Sequence, residues 1–174
     1  YWLPFGLPLY PLSAQQAVTQ TAILAAEAVA DHGTAQMGNI SLPLNLLVAQ
    51  GLLQYGYRSQ AADLYLRLMS AVSQTLRKGK VFRRYYHAET GTGSGERNHL
   101  EGLIAPGLFL DILGVTIFSP WRVGLVDKNP FPWPVRLHYR GLTILRESVR
   151  TVLTFPDGQI ITVDDPKACT VSME

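Results

Sequence analysis

The spacing of hydrophobic and polar residues changes once along this chain, near Gly114. Before that point apolar residues recur every three or four positions, which indicates helices, and after it they alternate with polar residues, which indicates β-strands. The pattern predicts an α+β fold in which residues 1–115 form a helical part. Residues 116–174 are expected to form a small antiparallel β unit packed on that part.

Four helices are predicted in the first part, at about residues 13–30, 42–55, 59–78 and 98–113. The second is apolar nearly all round, so it should be buried on most sides. The third has a single apolar stripe, as expected of an outer helix paired with an inner one. Pro106 should kink the fourth because proline lacks an amide donor. Residues 34–40 and 80–97, which contain glycines, are expected to be loops.

Prolines and alternating segments mark the second part of the chain. Strands are predicted at residues 135–139 and 142–146, on either side of a turn at Arg140-Gly141. Residues 149–155 and 159–163 flank Pro156-Asp157-Gly158, which is the clearest hairpin signal. Further strands are expected at residues 115–118, 121–126 and 168–173.

Composition restricts the possible partners. The chain has 174 residues, 47% of them hydrophobic, which suits one domain or two small ones. Its single cysteine, Cys169, rules out a disulfide framework within the chain. The formal net charge of +2 favours neither nucleic acid nor a membrane as a partner. The cytoplasm is the favoured compartment, and because the chain begins at Tyr1 rather than Met, a fragment or processed product is expected.

Three motifs in the helical part carry a resemblance to a known family. They are GNISLPLNLLV at residues 38–48, YYHAETGTG at residues 85–93 and, more weakly, FGLP at residues 5–8. Together they resemble the C-terminal part of the six-hairpin (α/α toroid) inverting glycoside hydrolases. That group includes mannosylglycerate hydrolase, processing α-glucosidase and debranching-enzyme-like proteins. The resemblance implies toroid-like helical hairpins, a carbohydrate partner and no cofactor, with the β tail as an extension.

The resemblance also implies a site. Family members use one carboxylic acid to protonate the leaving oxygen and another to activate water. The position of the base falls on Arg84, which cannot accept a proton from water, and the segment with the acid is missing. Glu89 is then the best surviving catalytic acid. The residues expected to bind substrate, on one concave surface with Glu89, are Asn39, Asn45, Tyr86 and His87. The four histidines show no spacing typical of metal ligands, so no metal is expected.

Each of these residues also has an ordinary structural explanation. For Glu89 the favoured explanation is a solvated loop acid, and for Asn45 it is a hydrogen bond to neighbouring backbone. Tyr85, Tyr86 and His87 could line a sugar pocket or be ordinary packing residues. The basic run of residues 77–84 fits a solvated helix end, and an anion site is the alternative.

Two functions from different classes therefore stand. The chain is expected to be a fragment or descendant of a glycoside hydrolase, incomplete as a catalyst alone. The alternative is a non-catalytic sugar-binding or scaffold protein, a subunit of a larger assembly. Self-association or a partner subunit is expected in either case, because the apolar helix at residues 42–55 needs more neighbours than the rest of the chain supplies.

Overall fold

Strands outnumber helices in the computed structural model, which describes residues 3–9, 38–104, 106–164 and 167–173. The helices are α1 (Leu42–Gln54), α2 (Arg58–Gly79) and α3 (Pro106–Leu113), with a 3₁₀ turn at Leu100–Gly102. The strands are β1 (Asn39–Ser41), β2 (Arg83–His87), β3 (Gly93–Arg97), β4 (Val115–Ser119), β5 (Arg122–Leu125), β6 (Val135–Tyr139), β7 (Leu142–Arg146), β8 (Arg150–Thr154), β9 (Ile160–Asp164) and β10 (Cys169–Ser172). The helix predicted at residues 13–30 lies outside the described residues.

The expected toroid of helical hairpins is wrong, and with it the resemblance to the six-hairpin glycoside hydrolases. A toroid consists of paired helices, whereas the described residues form three antiparallel sheets and only three α-helices. Two of the three motifs that carried the resemblance contain strand residues: the first begins with β1 before it enters α1, and the second begins in β2. The protein is a mixed α+β structure, and β-strands are present after Gly114 as predicted.

Two predictions about individual helices are also wrong. Helix α1 is not buried on most sides, since only Leu42, Asn45 and Ala49 of its residues are buried. The helix expected at residues 98–113 is divided: its first turn is the 3₁₀ turn, and α3 begins only at Pro106. Proline suits a first helical position because the amide it lacks would have no helical acceptor there. Pro106 therefore starts a helix instead of kinking one.

The chain forms two compact units. Unit 1 consists of Tyr1–Gly51 and Asp63–Ile104, and unit 2 of Leu52–Ala62 and Ala105–Glu174. The division expected at residues 115 and 116 stays a prediction. No helix in the described ranges is both long and apolar enough to cross a lipid bilayer.

Unit 1 contains the sheet β1-β2-β3, in which each strand is antiparallel to its neighbour. Its core includes Ile40 from β1, Tyr86 from β2 and Leu64 with Leu68 from α2, all fully buried. The hairpin of β2 and β3 forms where a loop was expected. A Cβ atom at Gly93 would lie 2.7 Å from Thr75 Cγ2 of α2, so only glycine lets β3 come this close to the helix.

Unit 2 contains two antiparallel sheets, with strand orders β10-β5-β4 and β6-β7-β8-β9. The predicted turn between β6 and β7 is present, and Tyr139 pairs with Leu142 across it. Arg140 and Gly141 both have positive φ, 46° and 86°, as the tight turns of hairpins require. The predicted hairpin around Pro156-Asp157-Gly158 is also present, as β8 and β9.

Two arginines bind the end of α3 in unit 2. The last carbonyls of a helix have no partner within it. Arg58 donates to the carbonyls of Asp111 and Ile112, and Arg146, which is fully buried, donates to that of Leu113 at 2.8 Å. Burial, with repulsion from Arg58, lowers the pKa of Arg146 to about 10, so the guanidinium is still charged at neutral pH. These bonds join the end of α3 to the start of α2 and to β7.

Candidate functional site

The sheet of unit 1 has one apolar and one polar face. Side chains alternate between the faces of a strand, and residues paired across antiparallel strands share a face. Ile40 pairs with Tyr86, which pairs with Gly93, and this face belongs to the core. The opposite face, called the polar face below, carries Asn39, Ser41, Tyr85, His87 and Ser94.

Two polar atoms on the polar face are buried without a hydrogen-bond partner in the described part of the chain. They are Asn39 Oδ1 and Ser94 Oγ. The side chain of Asn39 is only 2% exposed. Leaving such a group unpaired costs about 1–3 kcal/mol, and a missing partner in a native structure is commonly a water or a ligand. The polar face therefore has unused capacity for hydrogen bonds.

Tyr85 supplies an aromatic ring on the polar face, where it is directly paired with Ser94 across β2 and β3. The ring is half-buried, and the guanidinium of Arg84 lies 5.2 Å from its centre. A Cβ atom at Gly95 would lie 3.2 Å from Tyr85 Cδ2, so the β3 backbone runs close to the ring edge. The ring is held in place by these neighbours and is partly accessible.

Arg84, at the position that the resemblance gives to a catalytic base, lies between two carboxylates. Its Nε is 2.9 Å from Glu101 Oε2, and its Nη1 is 3.2 Å from Glu96 Oε1. The hydrogen bond to Glu101 raises the pKa of Arg84 above its ordinary value. A hydrogen bond to its own backbone amide, assisted by Arg84, lowers the pKa of Glu96. Glu96 is therefore ionised at neutral pH and unsuited to donate a proton, and Glu101 is engaged by the same guanidinium.

Tyr86 lies on the core face, opposite the polar face. Its hydroxyl donates to the carbonyl of Gly102 at 2.9 Å and accepts from the amide of Arg83 at 3.2 Å. Burial raises the pKa of Tyr86, so the phenol is neutral at pH 7. The fold itself uses the hydroxyl, and a substrate-binding role for Tyr86 stays a prediction.

Asn45 joins α1 to the segment at residues 3–9. Its Oδ1 accepts from the amide of Leu7 at 2.9 Å, and its Nδ2 donates to the carbonyls of Leu7 and Ser41 at 3.0 Å. This is the structural explanation that the sequence left open for Asn45. A role in substrate binding is not needed to account for its burial.

His87 and Glu89 lie at the end of β2 and in the turn that follows. His87 Nδ1 accepts from the amide of Glu89 at 3.3 Å, and the Glu89 side chain is exposed. Of the five residues expected at the site, the structure brings Asn39 and His87 together, directly paired across β1 and β2. The catalytic role of Glu89 stays a prediction.

The sequence did not indicate two residues of the polar face, Ser41 and Ser94, and it indicated Tyr85 only together with Tyr86 and His87 as residues that could line a sugar pocket. The signal that would have found them is a period of two, because Tyr85 and His87 share a face only if residues 83–87 form a strand. A loop at residues 80–97, as predicted, gives no reason to place Tyr85 and Tyr86 on opposite faces.

Two open cavities lie elsewhere in the described residues. One of about 240 Å³ in unit 1 is lined by Gln74, Thr75, Lys78, Gly79, Val81, Arg83, Gly91, Thr92 and Gly93. One of about 470 Å³ in unit 2 is lined by Gly56, Arg58, Ser59, Gln60, Asp127, Lys128, Asn129, Pro130 and Lys167. Within the ranges that the structure describes, no group of three or more His, Cys, Asp or Glu side chains could hold a metal ion.

Comparisons of this chain with models of protein families, with curated proteins and with solved structures found no match.

Proposed function

We propose that the chain is a non-catalytic carbohydrate-binding module and that the polar face of unit 1 is its binding surface. The observation that carries the proposal is that two buried polar atoms without a hydrogen-bond partner in the described residues, Asn39 Oδ1 and Ser94 Oγ, share one face of the sheet with the ring of Tyr85. Sites for sugars combine an aromatic ring, which packs on C–H groups, with a few converging hydrogen-bonding groups. The polar face offers both.

The chemistry of the polar face favours a neutral sugar over a charged one. Its five side chains are two hydroxyls of serine, an amide, a phenol and an imidazole, and none is a carboxylate or an ammonium group. Asn39 Oδ1 is an acceptor for a sugar hydroxyl, and Ser94 Oγ can donate or accept. Because neither atom has a hydrogen-bond partner in the described residues, a sugar hydroxyl bound there would supply a missing bond without displacing a protein group.

A binding role is better supported than catalysis. Inversion at a glycosidic carbon requires an acid and a base about 6.5–9.5 Å apart, with opposite protonation states. Glu96 and Glu101 are both engaged by the same residue, Arg84, and Glu89 is exposed in a turn. The cytoplasm stays the proposed compartment.

Replacing Tyr85 by alanine is expected to weaken sugar binding by about 2- to 12-fold, which is the range for an aromatic contact of about 0.5–1.5 kcal/mol. Binding is measured by titrating the intact chain with neutral mono- and oligosaccharides and following NMR shifts or heat. The matched control is Tyr55→Ala, because Tyr55 is 82% exposed and distant in sequence from the polar face. The control should bind as the original chain does.

Ser94→Ala separates binding from stability. It removes a buried hydroxyl without a partner in the described structure, so stability should hold or rise slightly while sugar affinity falls. Saturable binding that neither Tyr85→Ala nor Ser94→Ala weakens would move the site elsewhere. Hydrolysis of an aryl glycoside at a useful rate by the isolated chain would contradict the non-catalytic role.

We also propose that the chain associates with a second copy of itself through α1. Leu44, Leu47 and Val48 occupy one face of this helix and are 51%, 63% and 41% exposed. No charged residue occurs between residues 33 and 57, so two copies of this face meet without like-charge repulsion. Exposed apolar patches of this kind mark interaction surfaces.

Leu47→Lys should convert the associated form to a monomer, because an ammonium group at the centre of the α1 face is costly to desolvate. Sedimentation velocity over a range of concentrations measures the change. Leu100→Lys is the control, since Leu100 is 80% exposed and lies outside α1. A compact monomer at high micromolar concentration in the unaltered chain would refute self-association.

A further inference from the structure

Positive charge is concentrated in one segment of the chain. Residues 77–101 contain six Lys or Arg and three Glu, which gives a formal net charge of +3. The rest of the chain, with nine Lys or Arg and ten Asp or Glu, carries −1. The small net charge of the whole chain is therefore unevenly distributed. The cationic residues of the segment are Arg77, Lys78, Lys80, Arg83, Arg84 and Arg97.

Most of these cations are available to a partner. Arg84 is not, because it is paired with Glu96 and Glu101. Arg83 donates through Nη1 to the carbonyl of Gly95 at 3.0 Å, a neutral acceptor that leaves its charge unbalanced. The other four are exposed and have no ion-pair or hydrogen-bond partner for their side chains in the part of the chain that the structure describes: Arg77, Lys78, Lys80 and Arg97.

The available cations lie at one end of unit 1. Lys78, in the last turn of α2, and Arg83, at the start of β2, line the same cavity. Arg83 pairs across the sheet with Arg97, the last residue of β3. Glu89, the remaining carboxylate of the segment, lies in the turn at the opposite end of these two strands. The surface called the basic end below consists of Arg77, Lys78, Lys80, Arg83 and Arg97.

The cavity at the basic end has hydrogen-bond donors and no acid among its described lining residues. Besides Lys78 and Arg83, the hydroxyls of Thr75 and Thr92 line it. Its volume of about 240 Å³ is below the range of about 300–1,000 Å³ that is typical of sites for whole organic ligands. One anionic group of a longer molecule therefore suits the cavity better than a complete small ligand.

The end of α2 accounts for only part of this positive charge. The C-terminus of a helix carries about half a negative charge, which favours cations such as Arg77 and Lys78 in the last turn. Lys80, Arg83 and Arg97 lie outside the helix, and half a charge is small beside the net +3 of the segment. The basic end therefore needs a partner with several negative charges to balance it.

We propose that the basic end binds the phosphates of a single-stranded nucleic acid, with one phosphate in the cavity between Lys78 and Arg83. A nucleic-acid strand has a negative charge at every nucleotide, and it releases condensed counterions when exposed lysines and arginines neutralise its phosphates. An exposed ion pair with a peptide carboxylate contributes little by comparison.

A single strand also fits the shape and chemistry of the basic end better than a duplex. A flexible strand can place one phosphate in a cavity, and its bases are free to stack on aromatic rings. Phe82, which is partly exposed and directly precedes Arg83, supplies such a ring. The proposal concerns the basic end alone and does not depend on sugar binding by the polar face.

Fluorescence anisotropy of a labelled oligothymidylate of about twelve nucleotides, titrated with the intact chain at about 50 mM salt, tests the proposal. Binding should be saturable, and the logarithm of the affinity should fall linearly with that of the salt concentration, with a slope of about −0.7 per phosphate contact. The double variant Lys78→Gln with Arg97→Gln should lower the affinity about tenfold or more and make the slope shallower by about 1.4.

The matched control is the double variant Lys167→Gln with Arg136→Gln, which makes the same change in net charge in unit 2. All four replaced side chains are exposed, so both double variants should keep the melting temperature of the original chain. The control should leave the affinity within about twofold. Equal losses from the two double variants, or no saturable binding by the original chain, would refute the site. Polyglutamate that binds as tightly as the oligonucleotide would replace nucleic acid by an acidic protein segment and overturn the proposal.

Discussion

Replacing Arg146 by methionine should lower the free energy of unfolding by about 3 kcal/mol or more. The guanidinium donates to the carbonyls of Leu113, Val126 and Asp127 and to Thr151 Oγ1. Methionine fills similar space but leaves these acceptors buried without their donor, at about 1–3 kcal/mol each. The methionine variant no longer has to bury a charged group, and this recovers some desolvation free energy. The gain offsets only part of the loss, because the same oxygens already stabilise the charge of Arg146.

Urea denaturation followed by tryptophan fluorescence measures the effect, since Trp121 and Trp133 both lie in unit 2. Arg136→Met is the matched control: Arg136 is an exposed residue of β6, and its loss should change stability by no more than about 0.5 kcal/mol. Arg146→Lys should fall between the two, because an ammonium group cannot reach all four oxygens. Equal midpoints for Arg146→Met and Arg136→Met would show that the buried arginine is dispensable.

Gly114→Ala should also lower the free energy of unfolding by about 3 kcal/mol or more, because the backbone conformation of Gly114 does not suit alanine. Gly114 follows α3 with a φ of +70°, a conformation that costs an L-residue about 1–2 kcal/mol. An added Cβ would also lie 2.0 Å from the carbonyl oxygen of Val126. The backbone would have to move, and the bond from the amide of Val126 to the carbonyl of Gly114, now 2.9 Å, would be strained or lost.

The control for this change lies in the same helix. Gly107 of α3 has no atom within 4 Å of an added Cβ, and alanine is the better helix former. Gly107→Ala should therefore raise stability by up to about 1 kcal/mol. Thermal unfolding of the two variants should move the midpoint in opposite directions. A midpoint for Gly114→Ala at or above that of the unaltered chain would contradict the backbone argument.

The parts of the fold that the sequence predicted correctly are those with local signals. A hairpin closed by Arg140-Gly141 or by Pro156-Asp157-Gly158 depends on a turn and on alternation within a few residues. The hairpin of β2 and β3 has no such signal, since β3 begins with glycine and includes a second one at Gly95. This hairpin forms because Gly93 lets β3 lie close to α2. That contact joins segments distant in sequence, so no local pattern predicts it.

The residues of the candidate site also depend on contacts between distant segments, which the sequence does not show. Asn39 and His87 share the polar face because β1 and β2 pair in one particular register. A shift of one residue in a strand exchanges its faces, so the choice between Tyr85 and Tyr86 depends on pairing that the sequence does not display. The sequence shows that Arg84 cannot act as a base. It does not show that Glu96 and Glu101 are the partners of Arg84, because they come from two separate later segments.

Segments of the two units alternate along the chain, and this determines which fragments of the protein can contain a complete unit. Leu52–Ala62 belongs to unit 2, yet Asp63–Ile104 of unit 1 separates it from the rest of that unit. Arg58 leaves the ribosome about fifty residues before the carbonyls of Asp111 and Ile112 that it will bind. Neither unit is therefore one continuous stretch of sequence. A single proteolytic cut after Ile104 would leave all of unit 1 in one fragment but would separate Leu52–Ala62 from the rest of unit 2. A cut within Asp63–Ile104 would instead divide both units between the two fragments.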